Sequence, residues 1–211
     1  VAWRGLYAIL DPAFCRGRDP LHVAQEILRG GCGVLQLRAK DRTPEQLEPL
    51  ARALARRCAD AGVPFVVNDL PALARDVGAA GVHLGQTDMP LASARALVGE
   101  SLRIGLSTHD LAQARAAAAS GADVIGFGPV FATTSKPDAD PVVGVAGLRA
   151  ACAAVPVPVV AIGGIALSNA ADVAAAGVPL AAAISALCQA DDPAAAAGAL
   201  HRALLQADAR A

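Results

Sequence analysis

Gln36, Arg38 and Lys40 stand at alternate positions where the apolar run Val34-Leu35 gives way to charge. Side chains two apart on an extended strand point the same way. Two cations and an amide therefore converge at one strand end, as binding an anion requires, and a pyrophosphate suits them. Asp69 and Asp88 each follow a later apolar run. Their carboxylates could share one hard cation, since magnesium normally takes one or two carboxylates together with waters and substrate phosphates. A helix-capping role is equally open to both: Asp69 precedes Leu70-Pro71, Asp88 precedes Met89-Pro90, and Asp is a favoured cap.

Two further groups could bind phosphate. Thr133-Thr134-Ser135-Lys136 lies in a stretch without periodicity, residues 128–144. Loops of that length in compact domains are usually functional or disordered, and hydroxyls beside a lysine suit a lid over phosphate groups, with a solvated surface loop as the plainer reading. Gly163-Gly164 and Ile184-Ser185 each end an apolar run. Backbone N–H groups at such places can hold a monophosphate, although Gly-Gly also makes a tight turn with no ligand. His83 falls inside an apolar run, and His22 and His201 fall in helical patterns, where structural roles are expected. His109, close to Ser107, could touch a ligand or start a helix. The spacing shows no Ser-His-Asp or Cys-His set, so nucleophilic catalysis is unsupported.

The elements that must position these residues alternate along the chain. Short runs with β-branched residues, at 6–10, 34–37, 65–67, 81–84, 103–106, 124–127, 159–162 and 180–184, are separated by Ala/Leu/Arg-rich stretches. Runs this apolar suit parallel strands covered on both faces. Helix starts are predicted at Asp19-Pro20, Thr43-Pro44 and Asp192-Pro193, and helix ends at Gly30, Gly62, Gly121 and Gly177. In the second helix Leu47, Leu50 and Leu54 form one face, with Ala51 and Cys58 beside it. Pro49 there implies a kink or a later start. Eight βα units predict an α/β fold, a (βα)8 TIM barrel forming a single catalytic domain over residues 1–211. The rival, an open Rossmann-like sheet, lacks a GxGxxG after its first strand. In a barrel the active site lies at the C-terminal strand ends, and the polar residues above gather there.

Composition narrows the partners. A net charge of −1, 18% charged residues and 3% aromatic residues argue against nucleic acid. Five cysteines, an odd number with no CxxC, fit neither a disulfide framework nor a zinc site, and point to the reducing cytoplasm. The N-terminus lacks the zones of a signal peptide. The charge-free stretches 150–171 and 173–190 are interrupted by Pro156, Pro158, Gly163-Gly164, Gly177 and Pro179, which favours buried strands over membrane spans. The expected partners are small phosphorylated molecules, with no nucleic acid and no membrane.

In combination, several motifs resemble the thiamine phosphate synthase family along nearly the whole chain: Leu6-Tyr7-Ala8-Ile9, Gln36-Leu37-Arg38-Ala39-Lys40, Asn68-Asp69, Gly81-Val82-His83-Leu84-Gly85-Gln86-Thr87-Asp88, Ile104-Gly105-Leu106-Ser107-Thr108-His109, Gly121-Ala122-Asp123, Gly126-Phe127-Gly128-Pro129-Val130-Phe131, Lys136 and Ala161-Ile162-Gly163-Gly164-Ile165. The resemblance implies a transferase that joins an aminopyrimidine methyl diphosphate to a thiazole monophosphate and releases pyrophosphate. It implies that Gln36, Leu37, Arg38, Ala39, Lys40, Asn68, Ser107 and Lys136 bind the pyrimidine diphosphate, with Arg38, Lys40 and Lys136 acting in catalysis. It also implies that Asp69 and Asp88 hold Mg2+, and that Thr133, Thr134, Ser135, Gly164, Ile184 and Ser185 hold the thiazole phosphate. The implied mechanism is loss of pyrophosphate to leave a pyrimidine methyl cation, which the thiazole nitrogen then attacks; it needs no protein nucleophile.

The chain departs from the family at Ala132, where proline is common, at Ser135, usually threonine, and at Val178-Pro179-Leu180, usually Ala-Asp-Gly. The last could shift Ile184 and Ser185. A thiazole tautomerase on the same barrel would need a histidine where Pro129 stands, and a non-catalytic regulatory barrel would predict erosion of the diphosphate and metal positions.

Overall fold

The computed structural model describes residues 3–135 and 140–206. Its strands are β1 (Gly5–Leu10), β2 (Val34–Leu37), β3 (Phe65–Asn68), β4 (Gly81–Leu84), β5 (Arg103–Thr108), β6 (Val124–Phe127), β7 (Val159–Ala161) and β8 (Leu180–Ala183). Each pairs in parallel with the next, and β8 pairs with β1 through Gly5 with Leu180 and Tyr7 with Ala182, closing the barrel. The helices are α1 (Pro20–Gly30), α2 (Pro44–Asp60), α3 (Pro71–Asp76), α4 (Leu91–Val98), α5 (Leu111–Ala119), α6 (Gly144–Ala154), α7 (Ala170–Ala174), α8 (Ser185–Cys188) and α9 (Pro193–Gln206).

The strands alternate as a pleated barrel must. Tyr7, Val34, Val66, Val124, Val160, Leu180 and Ala182 form a small core inside the lumen. Their chain neighbours, such as Leu6, Leu35, Val67, Ile125 and Ala181, pack outward into the larger core beneath the helices. At the N-terminal end Arg103 lies over the Trp3 ring, 4.6 Å from its centroid.

Pairing extends β5 to Thr108, beyond the predicted 106, because Ser107 and Thr108 pair with Gly126 and Phe127. β7 and β8 each stop one residue earlier than predicted, and Ile184 instead leads into α8. α2 starts at Pro44 under a Thr43/Gln46 capping box and runs through Pro49. Both Pro49 and Glu45, whose carbonyl loses its helical donor there, are exposed, so water can replace the missing bond. Leu47, Ala51, Leu54 and Cys58 of this helix are buried and Leu50 is half-buried. The turn after α1 falls to Gly31, because Gly30 lies against α9, where an added Cβ would come within 2.1 Å of the Ala194 carbonyl oxygen. No helix among the described residues is long and apolar enough to cross a membrane. All five cysteines are free.

Candidate active site

The inward parity of β2 carries through Val34 and Gln36 to its polar end. Gln36 is 2% exposed, and its amide is held on both sides: Tyr7 donates its hydroxyl to Oε1 at 2.7 Å, and Nε2 donates to Asn68 Oδ1 at 3.2 Å. Burial pushes the Tyr7 phenol well above its usual range, so it stays a donor. The Arg38 backbone N–H donates to Leu10 O at 2.9 Å, and its guanidinium is paired with Asp11, a carboxylate 2% exposed at the end of β1. Leu37 faces outward into the core and Ala39 packs against it, so any contact they make with a ligand comes from the backbone.

Lys40 Nζ lies 3.0 Å from Asp69 Oδ2. Asp69 turns the chain after β3 in left-handed backbone, φ 63°, a conformation that Asp tolerates better than most residues. Its backbone N–H donates to His83 O at 2.8 Å. Neither carboxylate caps a helix. The residues preceding α3 and α4 are Leu70 and Pro90, with no side-chain cap at either, and Asp88 Oδ2 instead accepts from the Gly85 N–H at 2.6 Å.

Asp69 and Asp88 lie close enough for each to shift the other's titration. Burial and the neighbouring Asp88 carboxylate push the Asp69 carboxyl up to about 6, against the pull of Lys40. For Asp88 burial acts upward, but its neighbour Asp69, the Gly85 N–H and the Lys40 charge outweigh it, leaving the group below its usual value. Neighbouring carboxylates resist double ionisation. A divalent cation resolves the same repulsion, so the donor set fits magnesium with substrate oxygens completing its shell. No cluster of three or more ligating side chains occurs among the described residues.

Beside this cluster His83 points into the barrel, where Gly105 and Gly126 leave it room: an added Cβ would lie 2.5 Å and 3.2 Å from its ring atoms. Its Nε2 is 2.8 Å from Ser107 Oγ. Enclosure lowers the imidazole to about 4, so it is neutral at ordinary pH. Gln86 Nε2 donates to Ser107 O at 2.7 Å. His109 precedes α5 rather than starting it, and its ring nitrogens lie 2.6 Å from Gly128 O and 3.2 Å from Asp140 Oδ2.

Across the mouth, Gly163 and Gly164 have φ of 87° and 68°. An added Cβ would fall 2.5 Å from Pro129 Cβ at the first and 2.6 Å from Ala132 O at the second. Only glycine meets both the backbone and the space. The loop that bears Thr133, Thr134 and Ser135 therefore starts directly over Gly164, with the Ser135 N–H donating to Thr133 Oγ1 at 3.2 Å. Ile184 and Ser185 lie at the start of α8, both half-buried. The Val178-Pro179-Leu180 approach keeps β8 in register, since Leu180 pairs with Gly5 and Val160, and Pro179 O accepts from the Gly5 N–H at 2.8 Å. Lys136 lies outside the described residues.

Sequence reasoning missed Asp11 and Tyr7, and it gave His83 only a structural role. Asp11 carries one usable signal: it directly follows the first strand, as the other candidate site residues follow theirs.

Fold and site together define an enzyme of the (βα)8-barrel class, with cations and paired carboxylates at its C-terminal rim. Residues 6–187 match the family model for thiamine monophosphate synthase. The chain is 49% identical over 191 residues to the thiamine-phosphate synthase of Laribacter hongkongensis, covering 90% of each, and 47% identical over 197 residues to that of Chloroflexus aurantiacus, covering 93% of this chain and 90% of the other. Its structure superposes on the thiamine phosphate pyrophosphorylase from Pyrococcus furiosus with a TM-score of 0.88, at 33% identity and 96% coverage of both chains. The chain belongs to the thiamine monophosphate synthase family.

Proposed function

We propose that this chain condenses 4-amino-2-methyl-5-(diphosphooxymethyl)pyrimidine with a thiazole monophosphate, giving thiamine monophosphate and pyrophosphate. The observation that carries the reading is the continuous arc from Asp11 and Arg38 through Gln36 and Asn68 to Lys40, Asp69 and Asp88, on the ends of neighbouring strands. That arc joins anion-binding donors to a two-carboxylate cation site, as a departing diphosphate requires.

The methylene C–O bond breaks with its electron pair leaving on pyrophosphate, and the thiazole nitrogen supplies the pair for the new C–N bond. Arg38 and Lys40 hold the diphosphate oxygens, joined by Lys136, and their charge is matched to the leaving group as it develops. A magnesium ion held by Asp69 and Asp88 would add Lewis-acid charge to that leaving group. Gln36, Asn68 and Ser107, with the backbone of Leu37 and Ala39, orient the pyrimidine diphosphate. Thr133, Thr134, Ser135, Gly164, Ile184 and Ser185 hold the thiazole phosphate across the mouth. Pro129, where a tautomerase would carry histidine, supports the synthase reading. The unpaired cysteines and the charge balance support a cytoplasmic enzyme acting on small phosphorylated molecules.

Purified protein with both substrates and magnesium is expected to release pyrophosphate and thiamine monophosphate in equal amounts. A chelator should stop the reaction and added magnesium should restore it. No product from folded protein and intact substrates would refute the assignment.

A further inference from the structure

We infer that Asp11 is a positioning residue for the reaction: it holds the Arg38 guanidinium in the orientation from which Arg38 meets the diphosphate. The inference rests on the reading above, in which Arg38 binds that group.

Leu10 pairs with Leu37 in the barrel register, so the next residues along, Asp11 and Arg38, meet just beyond the strand ends. The Asp11 side chain is fixed before it meets Arg38. One oxygen accepts from the Ala13 N–H at 3.0 Å, capping the short 3-10 turn Pro12–Phe14, while its backbone carbonyl accepts from the Phe14 N–H at 2.9 Å and from Cys15 Sγ at 3.4 Å. The other oxygen takes one Nη of Arg38.

Both carboxylate oxygens are thus engaged with the protein in a site 2% exposed. The guanidinium is planar and has five N–H donors. Fixing one nitrogen sets the direction of the others and leaves donors for an anion. Without that partner a long arginine side chain samples several rotamers, and ordering it at each turnover costs entropy. Buried ion pairs are poor sources of stability, so a carboxylate held this firmly beside a ligand-binding arginine is better explained by orientation.

The test is a double-mutant cycle on the full chain. Asp11→Asn and Asp11→Ser both keep a side-chain oxygen for the Ala13 N–H, as N-cap residues do, and both remove the charged partner of Arg38. Each is expected to lower kcat about 10- to 100-fold while changing KM for the pyrimidine diphosphate far less, the pattern of an interaction made in the transition state. Arg38→Gln is expected to cost on the order of 10² to 10³. Adding Asp11→Asn to Arg38→Gln should then cost about twofold or less, because the two residues act as one unit. Full multiplication of the two losses would overturn the assignment, as would unfolding of both Asp11 variants, which would make the residue structural. Unchanged activity in Arg38→Gln would remove the diphosphate reading itself, and this inference with it.

Discussion

Asp69 and Asp88 show why charged neighbours at a strand end cannot be understood one at a time. Each could have capped a helix, but Asp69 meets Lys40 and Asp88, and Asp88 takes the Gly85 N–H. If the pair holds magnesium, Asp88→Asn should leave the protein folded and shift the magnesium titration of activity to concentrations at least about tenfold higher. An unchanged titration curve would exclude Asp88 as a ligand. His83 gives a prediction in pH. Its folded value, about 4, lies below the unfolded value near 6.5, so the unfolded chain takes up the proton first. The stability this group contributes is complete above 6.5 and is lost as pH falls through the window from 6.5 to 4. Asp69, raised by folding, acts in the opposite sense below about 6, so the wild-type curve alone mixes the two effects. Comparison with His83→Gln isolates the imidazole: the melting temperature of the wild type should fall more steeply than that of the variant between pH 7 and 4, by roughly a few degrees. Parallel curves would mean that His83 is not held neutral.

At the scale of elements, the βα loops decide what the strand ends can offer. The Gly163-Gly164 turn lies beneath Pro129 and Ala132, so the β7 end and the long loop after β6 share one packing problem. Gly164→Ala puts a Cβ 2.6 Å from a backbone carbonyl oxygen, at φ 68°. The backbone must shift, at a cost of about 1–3 kcal/mol. The expected result is a lower melting temperature together with a raised KM for the thiazole substrate, while KM for the pyrimidine diphosphate changes little, because that ligand is assigned to the opposite side of the mouth. A uniform effect on both substrates would argue against this division. The β1 to α1 connection has a comparable role: Arg18 donates to Ala190 O at 2.9 Å, to Cys188 O at 2.5 Å and to Cys15 O at 3.1 Å. It thereby ties the segment carrying Asp11 to the end of α8, the helix that begins at Ser185.

At the scale of the whole molecule, closure is what makes the site. β1 lies between β2 and β8, while α9 packs on α1, α7 and β1 across that seam. Leu200 of α9 is 2% exposed and far in sequence from the strands it covers. Leu200→Ala should destabilise the fold by about 2–5 kcal/mol and leave both KM values unchanged at moderate temperature. Altered substrate affinity in the folded variant would show that seam packing reaches the active site. The fold was legible because each element carried its own signal. Apolar runs gave the strands, and Thr43-Pro44 and Asp19-Pro20 gave helix starts that match the caps of α2 and α1. Boundaries shifted where pairing or packing between distant segments took over, as at Thr108, Ile184 and Gly30.

Much of the candidate site was legible for a related reason. A parallel barrel brings every strand's C-terminal end to one rim, so polar residues just after the apolar runs had to assemble there. Gln36, Arg38 and Lys40 also share the period-two parity of β2. Local order and periodicity, which the sequence determines by itself, are properties of neighbours along the chain. The pairing of Arg38 with Asp11, the contact between Asp69 and Asp88, the Tyr7 bond to Gln36 and the neutrality of His83 join residues from different strands. Those depend on distances and burial across the barrel, and only tertiary structure decides them.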